Sequence, residues 1–418
     1  MKYRNRLIDE VLKFRLSAKG AVLITGPKWC GKTTTAKMIS NSEINLQDPL
    51  MKDQYIRLGN VNPVALLIGK TPRLIDEWQQ IPRLWDAVRQ EVDKRQEFNQ
   101  FILTGSSVPK GLDDISHSGQ GRIVSLKMRT MSLFESGDST GEVSLTSLLN
   151  GTQLTSNICK LKFEDYTRLI CRGGWPMSLV NNERISLQQS KDYYQTVLSS
   201  DIIEVDGVKR SPKRTRALMK SYARHISTNA TNKTMLADVN NDNNSANMSA
   251  NTLADYLDAL EKLFIIEELH PWNENFRSTI RVRQTPMRHF IDPSIATAAL
   301  GLSPLSLQSD IKTCGFLFES MCIRDLRIYA DSINGEVFHY HDNTNLEIDA
   351  ILHLDDNRWA AIEIKLGINE IPKAIKNLNK LEEKIGQKPA FKMILTATEY
   401  AYLDESGVWI VPLGLLRN

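Results

Sequence analysis

The octet Gly26, Pro27, Lys28, Trp29, Cys30, Gly31, Lys32, Thr33 has the residue types and spacing of a phosphate-binding P-loop, GxxxxGK followed by Ser or Thr. Its two glycines let the backbone turn tightly and bring N–H groups against phosphate oxygens, and a helix starting after Gly31 would aim its positive end at the same anion. Lys32 would reach the β and γ phosphates of ATP, and the Thr33 hydroxyl would hold Mg2+. The expected nucleotide-binding set runs from Gly26 through Thr34. The plain alternative is a glycine-rich turn with an incidental Lys-Thr pair.

Asp76 and Glu77 supply the second chemistry. Carboxylates at the tip of an apolar strand have the character of a Walker B element, with Asp76 in the Mg2+ shell and Glu77 orienting or deprotonating the attacking water. The apolar run before them is short, Leu74 and Ile75, and a surface acidic turn would look similar alone. Ser106, at the polar end of the run Phe101, Ile102, Leu103, Thr104, is placed to sense the γ phosphate, unless this is a plain strand-to-turn junction. Arg122 could reach a phosphate in its own or a neighbouring subunit, the latter requiring a homo-oligomer, or be simply solvated.

A third constellation lies near the C-terminus. Residues 346–351 and 359–365 alternate as strands do, so Glu363 and Lys365 project from one face, where Asp349 on a neighbouring strand can join them. Two carboxylates and a lysine are the PD-(D/E)xK nuclease set: Asp349 and Glu363 would hold a second Mg2+ while Lys365 positions its water. Glu319, on a helix expected to begin near Gly315, could add an acid. Alternating charges on a half-exposed strand are the ordinary alternative. His339, His341 and His353 fit no standard zinc spacing.

These residues require elements to hold them. The β-prone run 21–25 before the loop and the helix-forming run 34–39 after it give strand, loop, helix, and Pro82 opens a helix with Leu84, Trp85, Val88 and Val92 on one face. The fold class expected is α/β: an N-terminal parallel sheet flanked by helices over residues 1–160, a helical, winged-helix-like middle over 161–284, and an α/β domain over 285–418. Residues 140–158, rich in Ser, Thr, Leu and Gly, suggest a loop or lid. Lys209, Arg210, Lys213, Arg214 and Arg216, continued by Lys220 and Arg224 without an acid between, fit a DNA phosphate contact or a solvated helix face. Residues 232–252, dominated by Asn, suggest an extended turn. After them, Leu253, Tyr256, Leu257, Leu260 and Leu263 have helical spacing, and 264–266 suggest a strand. Arg277, Arg281, Arg283 and Arg288 would suit a wing near phosphates, although an apolar stripe of this kind is also ordinary core.

With 418 residues, 41% apolar and 24% charged, the chain suits two or three globular domains. A net charge of +3 does not by itself argue for nucleic acid. Five cysteines without a CxxC pair argue against a zinc ribbon or disulfide framework and suit a cytoplasmic setting, and no apolar stretch is long enough to span a membrane.

Together GPKWCGKTT, LIDEWQ, ILTGSS, the Gly121-Arg122 pair, GGWP at 173–176, IDPS at 291–294 and the EID and EIK triplets resemble the prokaryotic AAA-type ATP-binding proteins. In these a P-loop domain precedes a C-terminal domain of unknown function similar to restriction-endonuclease folds. The resemblance implies ATP binding, a winged-helix-like middle and a link to DNA. The chain departs from the pattern in its Asn-rich insert, and in Thr130, Met131 and Ser132, where a Pro-Leu-Ser run is common.

Overall fold

Apolar runs of four or five residues, too short for helices and flanked by glycine or polar residues, become interior strands buried on both faces. In the computed structural model, which describes residues 3–105, 121–152, 157–180, 182–204, 207–241, 247–273 and 285–418, such runs form the middle of one parallel sheet of five strands, whose edge strands are more exposed. The five are β1 (Ala21–Thr25), β2 (Ser42–Asn45), β3 (Arg73–Asp76), β4 (Phe101–Gly105) and β5 (Ile123–Lys127), in the order β2-β3-β4-β1-β5. Alternation sorts their side chains into two layers. Leu23, Ile75, Phe101 and Leu103 pack with Trp78, Leu84 and Val88, whereas Val22, Ile24, Leu74 and Ile102 pack with Leu12, Leu16 and Ala36. Truncating one of these to alanine would cost about 2–5 kcal/mol. Because β4 lies between β1 and β3, its C-terminal end sits beside both the P-loop and the Asp76 tip.

Contacts divide the chain into two units, Met1–Thr130 with Ser199–Ser211 and Leu257–Ile265, and Met131–Leu198 with Pro212–Tyr256 and Ile266–Asn418. Residues 131–160, expected with the ATPase domain, group with the second unit. Its seven-stranded sheet runs β7-β12-β13-β11-β10-β9-β8. Here β6 is Val143–Ser144, β7 Asn157–Ile158, β8 Gly335–His341, β9 Glu347–Leu354, β10 Trp359–Lys365, β11 Lys392–Thr396, β12 Tyr400–Leu403, β13 Val408–Pro412 and β14 Leu416–Arg417. The strands β8, β9 and β10 are antiparallel, β10, β11 and β13 are parallel, and the helix Ile371–Ile385 crosses between β10 and β11. Its Ala374, Leu378 and Leu381 pack on Trp359, Ala361, Ile394 and Ile410.

Several expectations are corrected by tertiary pairing. Within 140–158 the described segments 143–144 and 157–158 are strands rather than loop: β6 pairs with β14 and β7 with β12, giving them backbone partners some 240 to 270 residues away. The Asn-rich stretch forms the helix Asn232–Asn241, since Met235 and Val239, four apart, are both buried and Thr231 Oγ1 accepts from Thr234 N. The long helix begins at Ile311, where Asp310 caps it, rather than near Gly315. In place of a strand at 264–266, Ile266 bridges Phe290 and Leu269 bridges Met287. Among the described residues no helix is long and apolar enough to cross a membrane.

Candidate functional sites

The P-loop geometry follows from its glycines and from what surrounds them. Gly26 has φ +146, and a Cβ there would lie 2.1 Å from the Met128 carbonyl oxygen. Gly31 (φ 106) turns the chain into the helix Lys32–Ile39, while Trp29 holds a left-handed φ of 67 on the loop's crest. Lys32 is buried, and its Nζ donates to Gly26 O at 2.9 Å and Pro27 O at 2.8 Å. Arg6, which sequence reasoning missed, ties the loop to the end of β5 by donating to the carbonyls of Cys30, Arg129 and Thr130. Its position far upstream in the chain gave no signal of this.

The sheet brings the acidic tip to the loop. Thr33 Oγ1 donates to Asp76 Oδ1 at 2.7 Å, so a hydroxyl and a carboxylate oxygen 43 positions apart share one spot beside Lys32. Such hard oxygen donors fit Mg2+. Thr104 Oγ1, fully buried at the end of β4, donates to the same Asp76 oxygen at 2.5 Å and accepts from Glu77 N at 3.2 Å. The hydroxyl linking strand end to acids is thus Thr104, and Ser106 lies outside the described residues. Glu77 sits in left-handed conformation (φ 59, ψ 46) with Gln79 Nε2 donating to its Oε2 at 2.5 Å. Burial raises the Glu77 carboxyl above its ordinary value, opposed by Lys32 and by the Gln79 hydrogen bond.

Arg122 is placed otherwise. It precedes β5 at the edge of the sheet where Ala21 starts β1, the edge opposite the P-loop, and its Nε donates to Asp93 at 2.7 Å. A phosphate at its own P-loop is therefore out of its reach, which corrects the own-subunit role.

In the second unit the four C-terminal residues do converge. Lys365 Nζ lies 2.7 Å from both Asp349 Oδ2 and Glu363 Oε2. Ile364 N also donates to Asp349 at 2.7 Å, and Asn377 Nδ2, from the helix Ile371–Ile385, donates to Glu363 Oε1 at 3.0 Å. Asn377 lies outside both triplets, and only the crossover helix brings it in. Glu319 faces the group from the helix Ile311–Ser332, with Oε1 buried and without a hydrogen-bond partner. Burial first and Asp349 second raise both Glu319 and Glu363 well above the carboxylate range. Among the described residues no group of three or more His, Cys, Asp and Glu is arranged as a metal site. His339 and His341 on β8 are buried rather than superficial.

The basic cluster divides. Lys209 is exposed in the first unit, and Arg210 there is buried. In the second unit the helix Pro212–Arg224 buries Ala217, Leu218, Tyr222 and Thr215 and exposes Lys213, Arg216, Lys220 and Arg224, which fall on one face. Half-buried Arg214 donates to Asn247 O at 3.3 Å, Arg216 to Gln195 Oε1 at 3.4 Å, and Arg224 pairs with Asp238 at 2.7 Å. Arg277, Arg281 and Arg283 lie outside the described residues. Arg288, expected on a wing, is buried and bonds Glu268, Ala230 O and Asn232.

The GGWP and IDPS motifs brace each other. Asp292 accepts from Gly174 N (2.9 Å), Ser294 N (3.0 Å), Ser294 Oγ (2.6 Å) and Arg324 Nη1 (3.1 Å), while Trp175 Nε1 donates to Ser294 Oγ at 3.0 Å. A Cβ on Gly174 would lie 2.1 Å from Met131 O. Both motifs are therefore scaffold rather than chemistry.

The comparisons with known proteins divide the chain into three segments. Residues 18–136 match the family described as an AAA domain, and residues 163–306 and 314–416 match two families described as domains of unknown function, DUF8612 and DUF4143. The uncharacterized proteins Mb2031c of Mycobacterium bovis and Rv2008c of Mycobacterium tuberculosis are each 24% identical over 361 residues, 85% of this chain and 72% of theirs. Among solved structures, RuvB of Thermotoga maritima is 17% identical (62% of this chain, 86% of that one, TM-score 0.26). The ORC2 protein of Aeropyrum pernix is 11% identical (73% and 93%, TM-score 0.31). Likenesses so slight say nothing about function. The parallel sheet and the loop lie within the residues that match the AAA domain, which supports an AAA-type P-loop domain there. Two domains of unknown function come after the AAA domain along the chain.

Proposed function

We propose that the protein is an Mg2+-dependent ATPase acting as a nucleotide switch, with ATP held by residues 26–34. The observation that carries this is the meeting of Thr33 and Asp76 at 2.7 Å beside buried Lys32. Thr33 and Asp76 would hold Mg2+, which neutralises phosphate charge when bound. Lys32 would contact the β and γ phosphates, and Glu77, set by Thr104 and Gln79, would take the proton of the attacking water. Arg122 would serve a neighbouring copy in a homo-oligomer. Lys32→Ala should lower ATP affinity at least tenfold, the scale of one lost charge-assisted contact at about 1.5–3 kcal/mol. Calorimetric titration giving wild-type affinity in that variant would contradict the reading.

Downstream, ATP would govern how a winged-helix-like segment and a C-terminal endonuclease-like domain engage DNA, in the three-part division at 160 and 284. The exposed basic face of the helix Pro212–Arg224 would be the phosphate contact. Convergence of Glu319, Asp349, Glu363 and Lys365 supports phosphodiester cleavage. Their oxygens suit a divalent cation, whose charge would offset the burial that raises the Glu319 and Glu363 carboxyls. The competing reading makes the cluster structural and the protein an ATP-dependent DNA-binding switch. It is favoured by Lys365 already bridging Asp349 and Glu363. Metal-dependent nicking abolished in Lys365→Ala supports the enzyme; no nicking with salt-sensitive DNA binding supports the switch. If DNA affinity does not fall steeply with salt, the ATPase answers a protein partner instead.

A further inference from the structure

The P-loop carries a second lysine that the chemistry above does not use. Lys28 Nζ donates to Asp201 Oδ1 at 2.7 Å, and the two side chains differ in exposure, 37% for Lys28 against 3% for Asp201. Asp201 closes a five-residue π-helical turn, Val197–Asp201, that runs into the short helix Ile202–Glu204. Single wide turns of this type recur at functional positions, where they set a side chain out of the regular helical ladder. Lys28 and Asp201 belong to the same unit although 173 positions separate them. The described residues give the Asp201 carboxylate one further bond, from Ser200 Oγ at 3.3 Å. Lys28 therefore supplies its countercharge.

Lys28 also looks toward the acids of the site. The Glu77 carboxyl, raised chiefly by burial, is drawn back by Lys32 and, more weakly, by Lys28. One ammonium of the loop that would hold ATP is thus bound by a buried carboxylate and also acts on Glu77. A phosphate that draws this ammonium toward itself pulls against Asp201, and a buried carboxylate stripped of its cation keeps its desolvation cost without the compensating attraction. The charge of the incoming nucleotide decides the contest, and a triphosphate brings more of it than a diphosphate.

We propose that Asp201 is a positioning residue that competes with the terminal phosphate for Lys28. A triphosphate draws Lys28 off Asp201 and loosens the backbone of residues 199–203, whereas a diphosphate leaves the pair intact. This rests on the reading that residues 26–34 hold ATP, and it adds the element by which the chain distinguishes ATP from ADP. Removing the competing carboxylate should strengthen triphosphate binding more than diphosphate binding.

The test uses the full chain with no nucleotide, with ADP, and with a non-hydrolysable ATP analogue, each with Mg2+. Amide hydrogen exchange of residues 199–203 in the wild type should quicken roughly fivefold or more with the analogue alone, the lower end of ordinary coupling between sites. In Asp201→Asn the exchange should no longer depend on the nucleotide. The ratio of ADP to analogue dissociation constants should rise on the order of tenfold. Lys28→Gln, which removes the tether from the other side, should exchange fast at 199–203 with no nucleotide added. An unchanged dissociation-constant ratio in Asp201→Asn, or equal wild-type exchange in all three states, overturns the proposal. If the wild type binds neither nucleotide, the ATP reading itself falls; if it binds both through Lys32 and the ratio is still unmoved, only the role of Asp201 falls.

Discussion

Thr104→Val isolates the one hydroxyl that joins the sensor end of β4 to both acids of the nucleotide site. The substitution keeps the branched shape, so packing beside fully buried Thr104 changes little, and it deletes a donor to Asp76 and an acceptor for Glu77 N. A hydrogen bond to a charged group is worth about 1.5–3 kcal/mol, and the backbone N–H of Glu77 loses an acceptor as well, so the first unit should lose about 2–4 kcal/mol. Catalysis should suffer separately. Glu77 stays in its left-handed conformation partly through that bond, and displacement of a reacting group by about 1 Å costs on the order of 100-fold in rate. The expected result is kcat for ATP hydrolysis reduced about 10- to 100-fold with KM nearly unchanged, because Lys32 and the loop amides are untouched. Thr104→Ser, which restores the hydroxyl, should recover most of the rate. Steady-state phosphate release and calorimetric titration of ATP would measure the two parts. A Val variant that hydrolyses at the wild-type rate, or that loses ATP binding in step with kcat, would refute the reasoning.

Three further outcomes rest on the geometry. Gly26→Ala should fold poorly or fail to bind ATP, because its Cβ meets the Met128 carbonyl at 2.1 Å, as nucleotide titration with a circular-dichroism melt would show. Asp292→Ala leaves buried Arg324 with half its countercharge and should destabilise the second unit by about 3–5 kcal/mol, read as a lower urea midpoint. Burial, with Arg327 and His339 nearby, holds His289 far below its usual value, and burial with His341 holds His339 down to about 4. At these two histidines the unfolded chain binds more protons than the folded one between about pH 6.5 and 4, so their contribution to stability should fall as pH falls through that window, against the opposite contribution of the raised Glu319 and Glu363 carboxyls. Urea midpoints at pH 7.5 and 5 would measure the fall, and His339→Asn should flatten it.

The sequence alone determined whatever local chemistry dictates. Two glycines and a Lys-Thr pair between an apolar run and a helix former can make little else than a P-loop, and period-two alternation was enough to put Glu363 and Lys365 on one face. That Asp349 joins them was legible because neighbouring antiparallel strands bring equivalent positions together. Tertiary structure alone decided which distant groups serve the nucleotide site. Thr104 touches Asp76 because β4 falls between β1 and β3, an order that no single strand encodes. Arg6 and Asp201 reach the loop across 24 and 173 positions, and Arg122 misses it, for the same reason: such distant placements are set by the packing of whole elements. The Asn-rich helix shows the balance from the other side. Two buried residues on one face outweighed the poor helical preference of the asparagines around them, and the energy of that burial exists only once a partner surface has formed.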